Sequence, residues 1–296
     1  MKPAPFEYLA PSSLEEALAA LAQHGSEAKI LAGGQSLIPV MNFRLAQPAL
    51  LIDLNRVPGL DFIQGRPDGG LAFGALTRQR RIERDPLVAD RAPLLHEAIP
   101  FVAHPQIRNR GTFGGSLAHA DPSAELPAIA VALDARFRLR SSNGDRWVTA
   151  RDFFTGLFST ALEPEEVLTE IELPPAPPRT GWCFLEVARR LGDYAQVGVS
   201  ARITLAEDGS CREARLVYLS VGTGPHETPE AARLLAGSDL SPAAIEAAAA
   251  KAANDEMAPR GDVHATPEFK RHLARVLTRR ALTRATERAR GAGGAH

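Results

Sequence analysis

The period at which apolar residues recur changes several times along this chain. Phe6 to Leu9 predicts a short strand. The run LEEALAALAQH then places apolar residues at helical spacing up to Gly25, and Ser12 and Ser13 each precede a glutamate by three residues (Glu15, Glu16), the capping-box sign of a helix start. AKIL predicts a strand that empties directly into AGGQS, LIPVMNFRL reads as a helix, and ALLIDL as a buried strand. Such a β-α-β-α-β rhythm predicts parallel strands.

From about residue 60 the pattern shortens. LDFIQGRPDGGLAFGAL predicts two strands around a Pro/Gly turn, and ARFRLRSSNGDRWVTA a hairpin with Asn143-Gly144 at its tip. Between them, residues 77–103 read as helical, a Gly-rich loop follows, and an Ala/Leu-rich helix is expected from near Pro122 to before Arg136. EEVLTEIELP predicts one more strand. PPAPP at 174–178 cannot enter a sheet or helix interior, so it marks a boundary. Beyond it, strands are expected around 182–187, 196–206 and 213–221, with EDGS as the last turn, and helices after Ser241-Pro242 and Thr266-Pro267. No internal repeat is found. The pattern divides the chain into residues 1–175, in two pieces of about 1–57 and 58–175, and a second domain over 179–290.

At 296 residues, with 45% hydrophobic and 23% charged positions, the chain can bury substantial cores. Its formal net charge of -1 gives no global attraction to nucleic acid or to anionic lipid. The arginines from Arg271 to Arg290 share their helix with an apolar stripe of Leu273, Val276, Leu277 and Ala281, and so read as the solvated face of a packed helix. No run approaches the roughly 20 apolar residues that span a bilayer, and the first residues show no secretory apolar core. A cytoplasmic protein is expected. Cys183 and Cys211 are too few to hold an iron–sulfur cluster on four thiolates.

Chemistry concentrates in two glycine segments. Ala32 to Ser36 lies between a strand and a helix, where paired glycines let the main chain approach a ligand and present successive N–H groups to an anion. Gly111 to Ser116 adds the hydroxyls of Thr112 and Ser116. Each pair taken alone could be a tight turn, whereas two pairs, both ending in serine beside apolar segments, favour a ligand. No Gly-x-Gly-x-x-Gly, Gly-Lys-Ser/Thr or Gly-x-Ser-x-Gly motif is present, which leaves Rossmann, P-loop and hydrolase sites unsupported. His119, Asp121 and Glu125 match no metal-ligand spacing, and Asp121-Pro122 reads as a helix cap before an N1 proline. Glu125 suits either the helix dipole or hydrogen bonds from a ribose.

With these residues in view, KILAGGQSLIPVMNFRLAQPALLIDLNRV and HPQIRNRGTFGGSLAHADPSAELP resemble the FAD-binding medium subunit of molybdenum hydroxylases, the family of xanthine dehydrogenase and aerobic carbon monoxide dehydrogenase. VARRLGDYAQVGVSARITL resembles the start of that family's C-terminal domain. The resemblance implies an α+β fold: a two-part PCMH-type FAD-binding domain, with a small α/β piece and an antiparallel piece, then a small α+β domain with a three-stranded antiparallel sheet and helices. It implies non-covalent FAD whose pyrophosphate is cradled by Ala32, Gly33, Gly34, Gln35 and Ser36, with Lys29 and Leu31 leading in and Leu37 following, and by Thr112, Gly114, Gly115 and Ser116. It places Glu125 near the ribose or pyrophosphate, Leu168 against the flavin, and Tyr194 and Gln196 facing the isoalloxazine ring.

No catalytic residue and no metal ligand is expected in this chain. Molybdenum cofactor and [2Fe–2S] clusters would sit on a large and a small partner subunit, the whole forming a dimer of heterotrimers. One branch of the family carries a four-cysteine cluster in this subunit, and two cysteines depart from that pattern. Two other functions fit the same loops: a stand-alone flavin reductase on this fold, and a non-redox nucleotide-binding module.

Overall fold

The structure, a computed structural model, describes residues 1–291. The N-terminal piece runs β1 (Glu7–Leu9), α1 (Leu14–His24), β2 (Ala28–Leu31), α2 (Leu37–Asn42) and β3 (Leu50–Asp53). Its three strands are all parallel, in the order β1-β3-β2. Ser13 accepts from the Glu16 N–H at the start of α1, and Leu14, Ala17, Leu18 and Leu21 form the stripe this helix buries. The predicted rhythm and the parallel pairing agree. α2 stops at Asn42, short of the apolar run that continues to Leu45, because Arg44 turns into the left-handed region at φ 59°.

The middle piece contains β4 (Ile63–Gly65), β5 (Leu71–Gly74), α3 (Gln79–Arg84), α4 (Pro86–Arg91), α5 (Pro93–Ala98), α6 (Pro105–Arg108), α7 (Phe113–His119) and α8 (Glu125–Ala132). It continues through β6 (Arg136–Ser141), β7 (Gly144–Thr149), α9 (Ala150–Phe153), β8 (Phe154–Gly156), β9 (Ser159–Thr160) and β10 (Val167–Leu173). Five strands make an antiparallel sheet in the order β4-β5-β10-β6-β7. Three corrections arise here. The helical stretch 77–103 is three short helices, because Pro86 and Pro93 each restart the chain at an N1 position. The Gly-rich loop is itself a helix, α7, capped by Thr112, whose hydroxyl accepts from the Gly115 N–H. The next helix starts at Glu125, not Pro122: Asp121 caps a local turn through the Ser123 N–H, and the Pro122 carbonyl accepts from Ser220.

After the proline-rich link come β11 (Thr180–Val187), β12 (Val197–Leu205), β13 (Cys211–Leu219), β14 (His226–Glu227), α10 (Pro229–Leu235), α11 (Pro242–Asp255) and α12 (Pro267–Gly291). The antiparallel sheet has the order β11-β12-β13-β14, so a two-residue fourth strand joins the three expected. Helix α12 packs across β11 and β12 and buries Ala274, Leu277, Ala281, Leu282, Ala285 and Ala289, which leaves its arginines facing outward. Among the described residues no helix is long and apolar enough to cross a membrane.

The hydrophobic cores do not follow the sheets. One core combines the five-stranded sheet with α5, α7 and α8, and it also takes Phe184, Ala195, Val217 and Leu219 from beyond the proline link. All eight residues of α8 are buried, because this helix lies between the middle piece and the face of β12 and β13. Arg108, 5% exposed at the end of α6, anchors the approach to α7. Its Nε and Nη2 donate to the two oxygens of Glu83 at 2.9 and 3.1 Å, and its Nη1 donates to the Val102 carbonyl at 2.8 Å. Removing one partner of such a buried pair strands the other. Arg108→Ala is expected to lower unfolding free energy by about 3–5 kcal/mol. Arg233→Ala, which breaks the exposed pair with Glu230, should cost less than about 1 kcal/mol in the same denaturant titration.

Candidate functional site

Strand β2 runs in register with β3, Lys29 opposite Leu51 and Leu31 opposite Asp53, and it delivers the chain into Ala32–Ser36 at the carboxyl edge of the small parallel sheet. Lys29 points its side chain to solvent, while Leu31 and residues 32–37 are half-buried. Among the described residues, the N–H groups of Gly33, Gly34, Gln35 and Ser36 donate to no protein acceptor. Four adjacent N–H groups left free at a strand end are donors available to an anion. The Gln35 side chain folds back to donate to the Gly33 carbonyl at 3.0 Å, which fixes the loop locally.

The second glycine segment lies against the first. A Cβ placed on Gly33 would fall 2.3 Å from the Arg110 carbonyl oxygen and 2.9 Å from the Gly111 Cα, so only glycine allows this backbone-to-backbone approach. A Cβ on Gly115 would lie 3.5 Å from the Ala32 methyl, which brings the start of α7 beside the first loop. Gly114 is equally constrained: its missing Cβ would meet the Ala75 methyl at 2.5 Å and the Leu168 side chain at 2.8 Å.

The two segments play different parts. The Phe113 and Gly114 N–H groups donate to the Thr77 and Ala75 carbonyls, and the Gly115 and Ser116 N–H groups are taken by Thr112. The second segment therefore offers closeness and the Ser116 hydroxyl, and the first supplies the free amides.

Two residues that carried no sequence signal hold the segments together. Asn55 Nδ2 donates to the Ala32 carbonyl at 2.8 Å. Arg78 donates from Nη2 to Asn55 Oδ1 and from Nη1 to the Arg110 carbonyl, both at 2.5 Å. The bridge thus runs from one glycine segment to the other through two side chains. Asn55 is itself oriented by Asp53, which accepts from the Asn55 N–H at 2.9 Å and from the Tyr8 hydroxyl at 2.6 Å. Burial works against the Asp53 charge, but these donors hold its carboxyl below the ordinary aspartate range. Desolvation and the neighbouring Arg110 guanidinium both pull Arg78 down, so two like charges are held together beside the free amides. Such a site attracts an anion.

At its far end the site turns acidic. Glu125, the first residue of α8, is only 7% exposed, and burial followed by the Asp121 charge pushes its carboxyl up to about 7. Asp121, Glu125 and His119 are brought near one another, but not as ligands: His119 packs its ring on Phe158 at 5.2 Å, and Asp121 caps its own turn. Tyr194 is 71% exposed on the loop after β11. Desolvation and then the Asp121 charge push its phenol up, with a smaller push from Glu125. Gln196 is half-buried at the start of β12 and its N–H donates to the Val187 carbonyl at 2.7 Å. Leu168, 5% exposed in β10, packs behind Gly114. Leu168 lies against the second glycine segment at Gly114, Glu125 starts the helix that follows that segment, and Tyr194 and Gln196 lie on the connection between β11 and β12.

Comparisons with known proteins cover nearly the whole chain. Residues 4–176 match the family of the FAD binding domain in molybdopterin dehydrogenase, and residues 182–285 match the CO dehydrogenase flavoprotein C-terminal domain. The chain is 43% identical to the 6-hydroxypseudooxynicotine dehydrogenase complex subunit alpha of Paenarthrobacter nicotinovorans, over 98% of this chain and 97% of that one. It is 39% identical to the caffeine dehydrogenase subunit beta of Pseudomonas sp. (strain CBB1), over 97% of each. A chain of the carbon monoxide dehydrogenase structure from Hydrogenophaga pseudoflava superposes with a TM-score of 0.94 at 39% identity, over 97% of this chain and 99% of that one.

The contact at Gly33 can be tested directly. Gly33→Ala must push the two segments apart and is expected to cost about 1–3 kcal/mol of stability, as overpacking does. Gly224→Ala, where the nearest atom to an added Cβ is 3.9 Å away, should stay within about 0.5 kcal/mol in the same chemical denaturation.

Proposed function

Because the chain belongs to the FAD-binding medium subunits of the molybdenum hydroxylase family, we propose that it is the electron-transferring flavoprotein of a multi-subunit oxidoreductase. Electrons released at molybdenum on a large subunit and relayed by [2Fe–2S] clusters on a small subunit pass through its FAD to an acceptor outside the complex. The observation that carries this reading is the pair of glycine segments pressed together, with four free backbone N–H groups and two guanidiniums at one end. This is the donor set a diphosphate requires.

Bound FAD supplies the redox chemistry, accepting electrons and passing them on. The protein's part is binding and orientation. Gly33, Gly34, Gln35 and Ser36 hold the diphosphate through their amides, with Ala32 and Leu37 as the flanks of the loop and Lys29 and Leu31 as its approach. Thr112, Gly114, Gly115 and Ser116 form the opposing wall. Charge-assisted hydrogen bonds from backbone amides to a phosphate are worth about 1.5–3 kcal/mol each, so four suffice for tight non-covalent binding.

Leu168 gives the site an apolar floor. Glu125 sits beside the diphosphate and ribose region, and burial holds its carboxyl up near 7. Tyr194 and Gln196 face the isoalloxazine ring, the tyrosine as a flat cover that limits access from solvent.

Residues 1–175 form the FAD-binding domain and 179–290 the C-terminal domain in this reading. The partners are a large molybdenum-cofactor subunit and a small [2Fe–2S] subunit, assembled as a cytoplasmic dimer of heterotrimers. The stand-alone reductase reading loses ground because the relatives of similar length are named as subunits of dehydrogenase complexes.

The expected preparation is yellow, and acid precipitation should release intact FAD into the supernatant. Expressed with its neighbours, the chain should co-purify with molybdenum and [2Fe–2S] subunits. A colourless chain that also takes up no added FAD would end this reading. Arg78→Ala removes the bridge between the glycine segments and is expected to weaken FAD binding by about tenfold or more, the equivalent of one charged hydrogen bond, as read by flavin fluorescence titration.

A further inference from the structure

Two buried polar atoms adjoining the site residues have no partner among the described residues, Gln79 Oε1 against Gly111 and Glu186 Oε2, and the second is the ionisable one. Strand β11 alternates its side chains: Cys183, Leu185 and Val187 enter the core under α12, while Trp182 and Phe184 face the core shared with α5 and α8. Glu186 falls on this second face, where the start of α8 abuts the sheet. Its Oε2 is buried and meets no hydrogen-bond partner among the described residues. It pairs across the sheet with Gly198, two positions from Gln196, at the end of the site assigned to the flavin ring.

Glu186 is half-buried, and a carboxylate oxygen shut off from water without a donor disfavours the anion. The charged groups around it decide which form it takes. Glu125 at the start of α8 is the near one, with Asp121 and Tyr194 beyond it. Among the described residues no cation is paired with Glu186. Arg108 is committed to Glu83. Glu97, on α5, is paired with Arg288 and accepts from the Phe184 N–H. Lys270 approaches from the opposite face, bonded to the Ser220 carbonyl at 3.3 Å and to Asp262 at 2.8 Å.

We propose that Glu186 is a neutral carboxylic acid in the folded chain and donates its proton in a hydrogen bond to a ring carbonyl or nitrogen of the bound flavin, with Glu125 as the neighbour that keeps it protonated. This rests on the FAD reading above. Burial, and then the Glu125 charge, push the Glu186 carboxyl up to about 8, in keeping with the geometry. The sign follows. Protonated Glu186 favours the cofactor, so FAD affinity is constant at lower pH and falls once the free chain loses this proton. Carrying the donor on an acid makes cofactor retention sensitive to alkaline pH, which an amide or a hydroxyl would not.

The test is a flavin fluorescence titration of the full chain with FAD between pH 6.5 and 9.5. The FAD Kd is expected to be flat below about pH 7 and to rise by about tenfold per pH unit above the Glu186 midpoint. Glu186→Gln retains a donor without the titration, so the tenfold-per-unit rise above the Glu186 midpoint should disappear, which leaves only the weaker dependence that Glu125 contributes near pH 7. Glu125→Gln removes the neighbouring charge, so the rise should begin at lower pH; it supplies an independent check should the Glu186 variant misfold. A flat profile for the unmodified chain, an unshifted profile for Glu125→Gln, or an identical rise in Glu186→Gln would each overturn the proposal. A chain that binds no FAD at any pH takes the proposal down together with the reading it rests on, and that result is distinct from a pH-independent Kd.

Discussion

The contact on which the site depends is the one between Gly33 and the Arg110 carbonyl, where two backbones meet with no side chain between them. A Cβ on Gly33 would fall 2.3 Å from that oxygen, closer than any side-chain atom can come. Much of the surrounding structure serves this approach. The parallel sheet delivers one segment at the end of β2, Arg108 braces the chain ahead of the other, and Asn55 with Arg78 ties carbonyl to carbonyl between them. Each tie is a hydrogen bond in a partly dehydrated setting, where an unmade bond costs more than a made one contributes.

The site is electrically graded. At the glycine end, free amides and two guanidiniums gather positive potential, and Asp53 is spent on orienting Asn55 instead of neutralising them. At the other end, burial raises the carboxyls of Glu125 and Glu186, and protons are the cheapest way to neutralise them.

The proline-rich link separates sheets without separating cores. Helix α8 is buried on every side because one face closes the five-stranded sheet's core and the other meets β12 and β13. Phe184 and Leu219 therefore belong to the same core as Phe73 and Phe137, and the acidic end of the site is assembled from both sides of the link. Motion of the C-terminal domain away from the rest would uncover this core, which ties the geometry at Glu186 to that at Glu125.

The sequence by itself determined the order of strands and helices in the first 55 residues, the break at PPAPP, and the two glycine segments. These rest on local physics: apolar period, capping hydroxyls, and the backbone freedom of glycine and its loss at proline. Local pattern also misled, where Thr112 turned an apparent loop into a capped helix and Pro86 and Pro93 cut one expected helix into three. Only the tertiary structure decided which amides stay free, since those of Phe113 and Gly114 are consumed by Thr77 and Ala75, more than thirty residues earlier. Asn55, Arg78 and Glu186 were likewise invisible, because a polar residue in a loop or at a strand end carries no local sign of the partner it will meet. Their roles come from contacts between distant parts of the chain, which exist only once the sheets have brought those parts together.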